Sequence, residues 1–253
     1  MKLTGHHALV TGGGSGIGAA IAVALAQAGT AVTICGRRRE PLEAIAAQHS
    51  DIHAEPADVT DRDAMLHLFK QAEMARGPFA IVVANAGGAQ SAPVEKLTPQ
   101  LWNDTLAVNL SGAFFSVQPA LAGMRERGFG RIVFVASTAG LRGASYVAPY
   151  VAAKHGVIGL MRALAAETAK DGITVNAVCP GYTETPMLDR AVERIATATK
   201  RDAAQARAAL AAKNPQGRFI TPTEVAGAVL WLCGESTAGI TGQAIEISGG
   251  ERW

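Results

Sequence analysis

Short apolar runs alternate along the chain with longer stretches of helical character. Residues 8–10, 31–35, 81–84, 131–136, 173–178 and 243–248 read as strands, and their unbroken apolar character suits a sheet covered on both faces. Residues 19–25, 40–48, 61–75, 100–127, 150–170 and 223–232 read as helices, several opening on Pro, Thr or Asp as caps. Such alternation predicts an α/β fold, a doubly wound parallel sheet of about seven strands with helices on both faces. No linker divides the chain, so one domain over 1–253 is expected. Residues 187–219 break the rhythm with two helical stretches and no strand. They follow the turn Pro180-Gly181, and ligands in open α/β sheets sit beyond the carboxyl ends of the strands. The segment therefore reads as a substrate lid rather than an inert insertion.

One junction stands out. Thr11-Gly12-Gly13-Gly14-Ser15-Gly16-Ile17-Gly18 lies between the strand Ala8-Leu9-Val10 and the helix that begins at Ala19. Glycines permit a tight turn and a close approach of backbone to ligand, while the first N–H groups of the helix attract a pyrophosphate. A nucleotide site is the functional reading, a ligand-free βα turn the plain one.

Composition narrows the choice. Of 253 residues 49% are hydrophobic and 17% charged, enough for a large core and too apolar for disorder. A net charge of +2 with no Lys/Arg run points to neither nucleic acid nor an anionic membrane. The N-terminus lacks an apolar signal core, so a cytoplasmic protein is expected. Cys35, Cys179 and Cys233 are odd in number and without a C-x-x-C pair; they read as small core residues, with no disulfide framework and no metal site.

Tyr150 and Lys154 are four apart at the start of a helical stretch and so share a face. A free phenol titrates near 10 and is a poor base at neutral pH; a cation beside it favours the phenolate. Ser137 ends the strand Ile132-Val133-Phe134-Val135-Ala136, where its hydroxyl can hold a substrate oxygen. Singly, each has a plain alternative as packing residue, solvated helix charge or helix cap.

Together, Thr11-Gly12-x-x-x-Gly16-x-Gly18, Asn85-Ala86-Gly87, Asn109, Ser137, Tyr150-x-x-x-Lys154 and Pro180-Gly181 resemble the short-chain dehydrogenase/reductase family over essentially the whole chain. The resemblance implies a Rossmann-type fold and NAD(P)(H)-dependent oxidoreduction of alcohols and ketones. It implies Tyr150 as general acid/base and Ser137 as orienter of the substrate oxygen. Lys154 would bind the nicotinamide ribose and lower the tyrosine pKa, and Asn109 would hold a relay water. Cofactor contacts are implied at Gly12, Ser15, Gly16, Ile17, Gly18, Arg37, Asp58, Val59, Asn85, Gly87, Tyr150, Lys154, Pro180, Gly181, Thr183 and Thr185. Ala84 departs from the pattern, standing where many members carry a second Asn. A homotetramer is implied as well, through helices 100–127 and 150–170.

The second strand ends Cys35-Gly36-Arg37-Arg38-Arg39 with no carboxylate before Glu40. An acid at that place bonds the ribose 2′-hydroxyl of NAD, whereas Gly36 leaves room for a 2′-phosphate beside Arg37, so NADP(H) is favoured and NAD(H) remains open. Tyr150-Val151-Ala152-Ala153-Lys154-His155-Gly156 and the insertion after Pro186-Met187 are similar to 3-hydroxybutyrate dehydrogenases, and general features resemble 3-oxoacyl thioester reductases. A 3-hydroxyacyl or 3-oxoacyl small molecule leads, with cyclic, aromatic or steroid-like alcohols as the alternative and a dinucleotide-binding sensor or scaffold as the non-enzymatic one. Between 188 and 218, Arg190, Arg194, Lys200, Arg201, Arg207, Lys213 and Arg218 outnumber Asp189, Glu193 and Asp202. A solvated face is the reading these charges favour, attraction of a carboxylate or of coenzyme A phosphates the alternative.

Overall fold

A computed structural model describes residues 3–200 and 202–251, which leaves Arg201 of the basic segment outside the described residues. Seven strands form one sheet: β1 (His7–Thr11), β2 (Ala31–Gly36), β3 (Ile52–Pro56), β4 (Ile81–Ala84), β5 (Gly130–Val135), β6 (Ile173–Pro180) and β7 (Ala244–Ile247). Their order is β3-β2-β1-β4-β5-β6-β7, and every pairing is parallel.

The two-residue period of a strand divides the apolar runs between two cores. Leu9, Val82, Ile132, Phe134 and Val175 face one side, packed by α3 (Arg62–Arg76), α5 (Gly112–Val117) and α7 (Ala148–Thr168). Ala8, Val10, Ile34, Val133 and Val135 face the other, packed by α1 (Gly16–Gln27), α2 (Arg39–Ala46) and α10 (Pro222–Leu232). Local capping fixes where several helices begin. Asp61 accepts the N–H groups of Asp63 and Ala64, each at 3.0 Å, and Thr221 forms a reciprocal capping box with Glu224.

Three elements differ from the sequence expectation. β3 was not among the strands named, because Ile-His-Ala-Glu-Pro lies at the sheet edge, half-exposed, and has no apolar run to announce it. The helix expected over 100–127 is subdivided into α4 (Pro99–Leu106), a π turn at Ala107–Ser111, α5, a 3₁₀ turn at Gln118–Ala120 and α6 (Leu121–Arg127). Pro119 has no N–H to continue the ladder, and the π turn takes an extra residue into the helix. α7 opens two residues before Tyr150, with Pro149 in its first turn. Segment 187–219 does carry two helices, α8 (Pro186–Thr199) and α9 (Ala203–Ala211), joined by a small core of Leu188, Val192, Ala206, Leu210 and Phe219.

His7 is a polar group buried where β1 begins, stacked on Phe79 with ring centroids 4.0 Å apart. Nδ1 lies 2.7 Å from the Gly77 carbonyl and therefore carries the proton, leaving Nε2 to accept from the Thr33 hydroxyl at 2.9 Å. Burial pulls the imidazole down to about 4. An unfolded chain thus binds the proton more readily between pH 6.5 and 4, so stability is complete above pH 6.5 and declines as pH falls through that window, by roughly 3 kcal/mol. Urea unfolding at a series of pH values should show a shallower decline for His7→Gln than for the unmodified chain; identical slopes would remove His7 from the account.

Candidate active site

β1 and β4 are neighbours, yet the chain leaves them in opposite directions, to β2 and β3 on one side and to β5, β6 and β7 on the other. The crevice opens at this switch point. It is held by Thr11, whose hydroxyl accepts the N–H groups of Asn85 and Ala86, both at 3.0 Å. Asn85 Nδ2 returns a bond to the Thr11 carbonyl at 2.8 Å. Gly12 has φ +68° and Gly16 φ +55°, left-handed conformations that favour glycine, and a Cβ on Gly18 would run into the Gly12 carbonyl. Ser15 is the exposed N-cap of α1 and makes no side-chain cap bond, so among the described residues the first N–H groups of α1, including that of Ile17, have no side-chain acceptor at this end. An unsealed helix N-terminus above a glycine turn fits a pyrophosphate.

The residues expected to border adenosine lie at the same strand ends. A Cβ on Gly36 would meet only Leu42 Cδ2, at 3.8 Å, and Arg37 is exposed with no ion pair or hydrogen bond of its side chain among the described residues. Asp58 Oδ1 accepts from both the N–H and the hydroxyl of Thr60, which fixes the carboxylate in a turn after β3. Val59 is buried and packs where Gly112 leaves room for it.

Beyond β5 and β6 lie the polar side chains. Lys154 is 4% exposed; its Nζ donates to the Val135 carbonyl at 2.8 Å and sits 5.5 Å from the centroid of the Tyr150 ring. Ser137, half-buried, caps the 3₁₀ turn Thr138–Gly140 by accepting the Ala139 N–H at 3.1 Å. Asn109, in the π turn, accepts from Gly88 N–H at 3.1 Å and donates to the Gly88 and Thr105 carbonyls at 2.8 and 2.9 Å. A Cβ on Gly87 would lie 2.6 Å from Asn109 Oδ1 and 3.6 Å from Lys154 Nζ, so these two groups meet beneath the turn after β4. Pro180 ends β6; past Gly181, the hydroxyl of Thr183 donates to the Gly181 carbonyl and that of Thr185 to Thr183.

Electrostatics departs from the sequence expectation in one respect. Burial pushes the Tyr150 phenol up to about 12, and the hydrogen bond from Ser137 only partly opposes it. Burial also pulls Lys154 down to about 8. The ammonium lies over the Tyr150 ring and donates to a carbonyl, and burial sets the direction of both shifts. Cys179 is a buried core residue, as the sequence suggests, and burial pushes its thiol up to about 11. The basic segment is largely internal in its bonding: Arg207 pairs with Glu184 and Asp189, Arg218 with Glu224, and Arg194 donates to the Ala89 carbonyl.

A glycine turn at the switch point, with half-buried Ser137 and Tyr150 beside buried Lys154 beyond β5, suits an oxidoreductase of the doubly wound class. The chain belongs to the short-chain dehydrogenase family, whose profile matches residues 6–196. It is 39% identical to an acetoacetyl-CoA reductase of Rhizobium meliloti, over 96% of this chain and 97% of that protein. It is 36% identical to a D-beta-hydroxybutyrate dehydrogenase of Cupriavidus necator, over 98% of each. Among solved structures, a tryptophan variant of an actinorhodin polyketide ketoreductase, crystallised with NADPH, superposes with a TM-score of 0.94 at 38% identity, covering 97% of this chain and 96% of that one.

Asn109→Ala leaves the Gly88 N–H and carbonyl without their side-chain partner, and a loss of about 1–3 kcal/mol in urea unfolding is expected. Unchanged stability would mean that the turn after β4 holds itself.

Proposed function

We propose that this enzyme reduces the ketone of a 3-oxoacyl compound, thioester or free acid, to the 3-hydroxyacyl alcohol with NADPH, and runs the reverse oxidation when product accumulates. The observation that carries the reading is the half-buried Tyr150 ring over buried Lys154, whose Nζ lies 5.5 Å from the ring centroid, with the Ser137 hydroxyl at the end of β5. A neutral phenol is an acid with a proton to give. The nicotinamide, when bound, supplies the hydride. Its dinucleotide would lie along Gly12, Ser15, Gly16, Ile17 and Gly18, with Asp58, Val59, Asn85 and Gly87 bordering adenosine and Pro180, Gly181, Thr183 and Thr185 the carboxamide end.

In this reading Tyr150 and Ser137 both donate to the carbonyl oxygen as negative charge develops there, and the Tyr150 proton completes the alcohol. Lys154 keeps a positive charge beneath the phenol that has given up its proton, at a place where water is excluded. Asn109 fixes the turn that roofs Lys154. α8 and α9 form the lid, and the internal pairing of Arg207 and Arg218 favours a solvated outer face over a coenzyme-attracting one. The sequence resemblances to 3-hydroxybutyrate dehydrogenases and 3-oxoacyl reductases, together with the names of the relatives above, support the substrate class. A homotetramer in the cytoplasm completes the reading. The helical stretch Pro99–Arg127 is apolar enough by composition to cross a membrane, yet only 33% of that window is buried within one chain, which leaves apolar surface for a second copy.

Tyr150→Phe keeps the ring and loses the proton; steady-state reduction of acetoacetyl-CoA should fall by at least ~10²-fold while NADPH titration is nearly unchanged. More than half the original turnover would take Tyr150 out of its role. Lys154→Met should impair both turnover and cofactor affinity.

Arg37 offers a charge-assisted bond to the 2′-phosphate worth ~1.5–3 kcal/mol, so NADP(H) should bind roughly ten- to a hundredfold more tightly than NAD(H). Arg37→Asp should reverse the order in the same titration. Equal affinities in the unmodified protein would mean that this arginine faces solvent.

A further inference from the structure

The connection from β5 to α7 starts at Ser137 and delivers Tyr150, so its course sets how the two hydroxyls are presented. Little apolar contact holds its middle. Leu141, Gly143, Ala144, Ser145 and Tyr146 are all exposed, and Tyr146 adopts φ +67°, a left-handed conformation that an aromatic residue rarely takes. A segment held in such a conformation needs its surroundings to over-determine it.

Arg142 is the side chain that turns inward. Its Nη2 lies 2.7 Å from Glu246 Oε1 on β7 and 3.5 Å from Glu251 Oε2 in the segment beyond that strand. The guanidinium side chain is 16% exposed and the Glu251 side chain 6%. Glu251 Oε2 in turn lies 3.1 Å from where a Cβ on Gly181 would stand. One guanidinium therefore links the substrate-side connection to the end of the sheet from which Thr183 and Thr185 depart. Charged pairs as enclosed as this contribute little net stability compared with apolar packing of the same volume, and the best-attested reason to keep one is that it fixes a particular arrangement.

We infer that Arg142 is a positioning residue which, clamped by Glu246 and Glu251, fixes the wall that presents Ser137 and Tyr150 to the ketone. The inference rests on the ketoreductase reading given above. The part of Arg142 is to hold the backbone of 138–147. A second anchor, the bond from Ala92 N–H to the Tyr146 carbonyl at 2.8 Å, holds the far end of the same segment, so losing the clamp frees the middle without detaching the whole.

Arg142→Gln, Arg142→Lys and Glu251→Gln test this in the full chain. Misplacing a donor by an ångström costs up to ~10²-fold in rate, so kcat for acetoacetyl-CoA should fall on the order of tenfold or more in Arg142→Gln, with the NADPH dissociation constant changed less than about twofold. Arg142→Lys, which keeps the cation, should recover part of the loss, and Glu251→Gln should reproduce it more weakly. Hydrogen exchange should rise in 138–147 and stay unchanged in β1 and in the body of α7. Unchanged kcat and exchange in a folded Arg142→Gln protein would overturn the inference, as would equal losses in kcat and NADPH affinity without faster exchange in 138–147. If Arg142→Gln does not fold, Glu251→Gln decides by the same criteria. If the unmodified enzyme reduces no ketone, the substrate reading fails, and the exchange comparison judges the clamp alone.

Discussion

The hydroxyl of Thr11 sits where two strands that pair side by side must send their continuations to opposite faces. By accepting two N–H groups from the first residues after β4, it fixes the width of the opening between β1 and β4. Asn85 closes the arrangement from the other direction. Everything placed against that opening inherits its geometry. Gly12 turns because Asn85 stands where a side chain would go, and α1 approaches the strand because Gly18 has no Cβ to meet the Gly12 carbonyl. A hydroxyl with one donor and two lone pairs is well suited to this duty, since two strand-end amides have no ladder partner there.

Burial has a different effect at the other end of the crevice. Lys154 and Tyr150 lie four apart on one helix, and desolvation is the largest cause of the shift in each. Each is driven toward its neutral form: the phenol keeps its proton and the ammonium holds its own less firmly. Two groups in that condition are sensitive to any charge introduced beside them. A site of this kind is tuned by what binds it as much as by its own side chains.

Much of this was legible in the residues. Continuous apolar strands announced a sheet covered on two sides, and the spacing of Tyr150 and Lys154 placed both on one face of α7. What escaped had weak local signals. β3 is an edge strand whose polar residues face water, and periodicity cannot distinguish it from a loop. The subdivision of 100–127 depends on how Asn109 and Gly112 pack against the turn after β4 and against Val59, contacts between segments far apart in the chain. Arg142 looked like one more charged residue in a loop, since its partners lie at the far end of the sequence. The family was readable largely because its motifs occur together in this chain; propensity alone gave the scaffold and left the chemistry open.

Thr185 does two jobs with one side chain. Its hydroxyl caps α8 at the Leu188 N–H, while its methyl rests 3.0 Å from where a side chain on Gly16 would project. The start of α8 is therefore seated on the glycine turn that follows β1, two segments far apart in the chain held by one residue. Any swing of α8 drags on that seat, and anything that stiffens the turn also steadies the start of the helix.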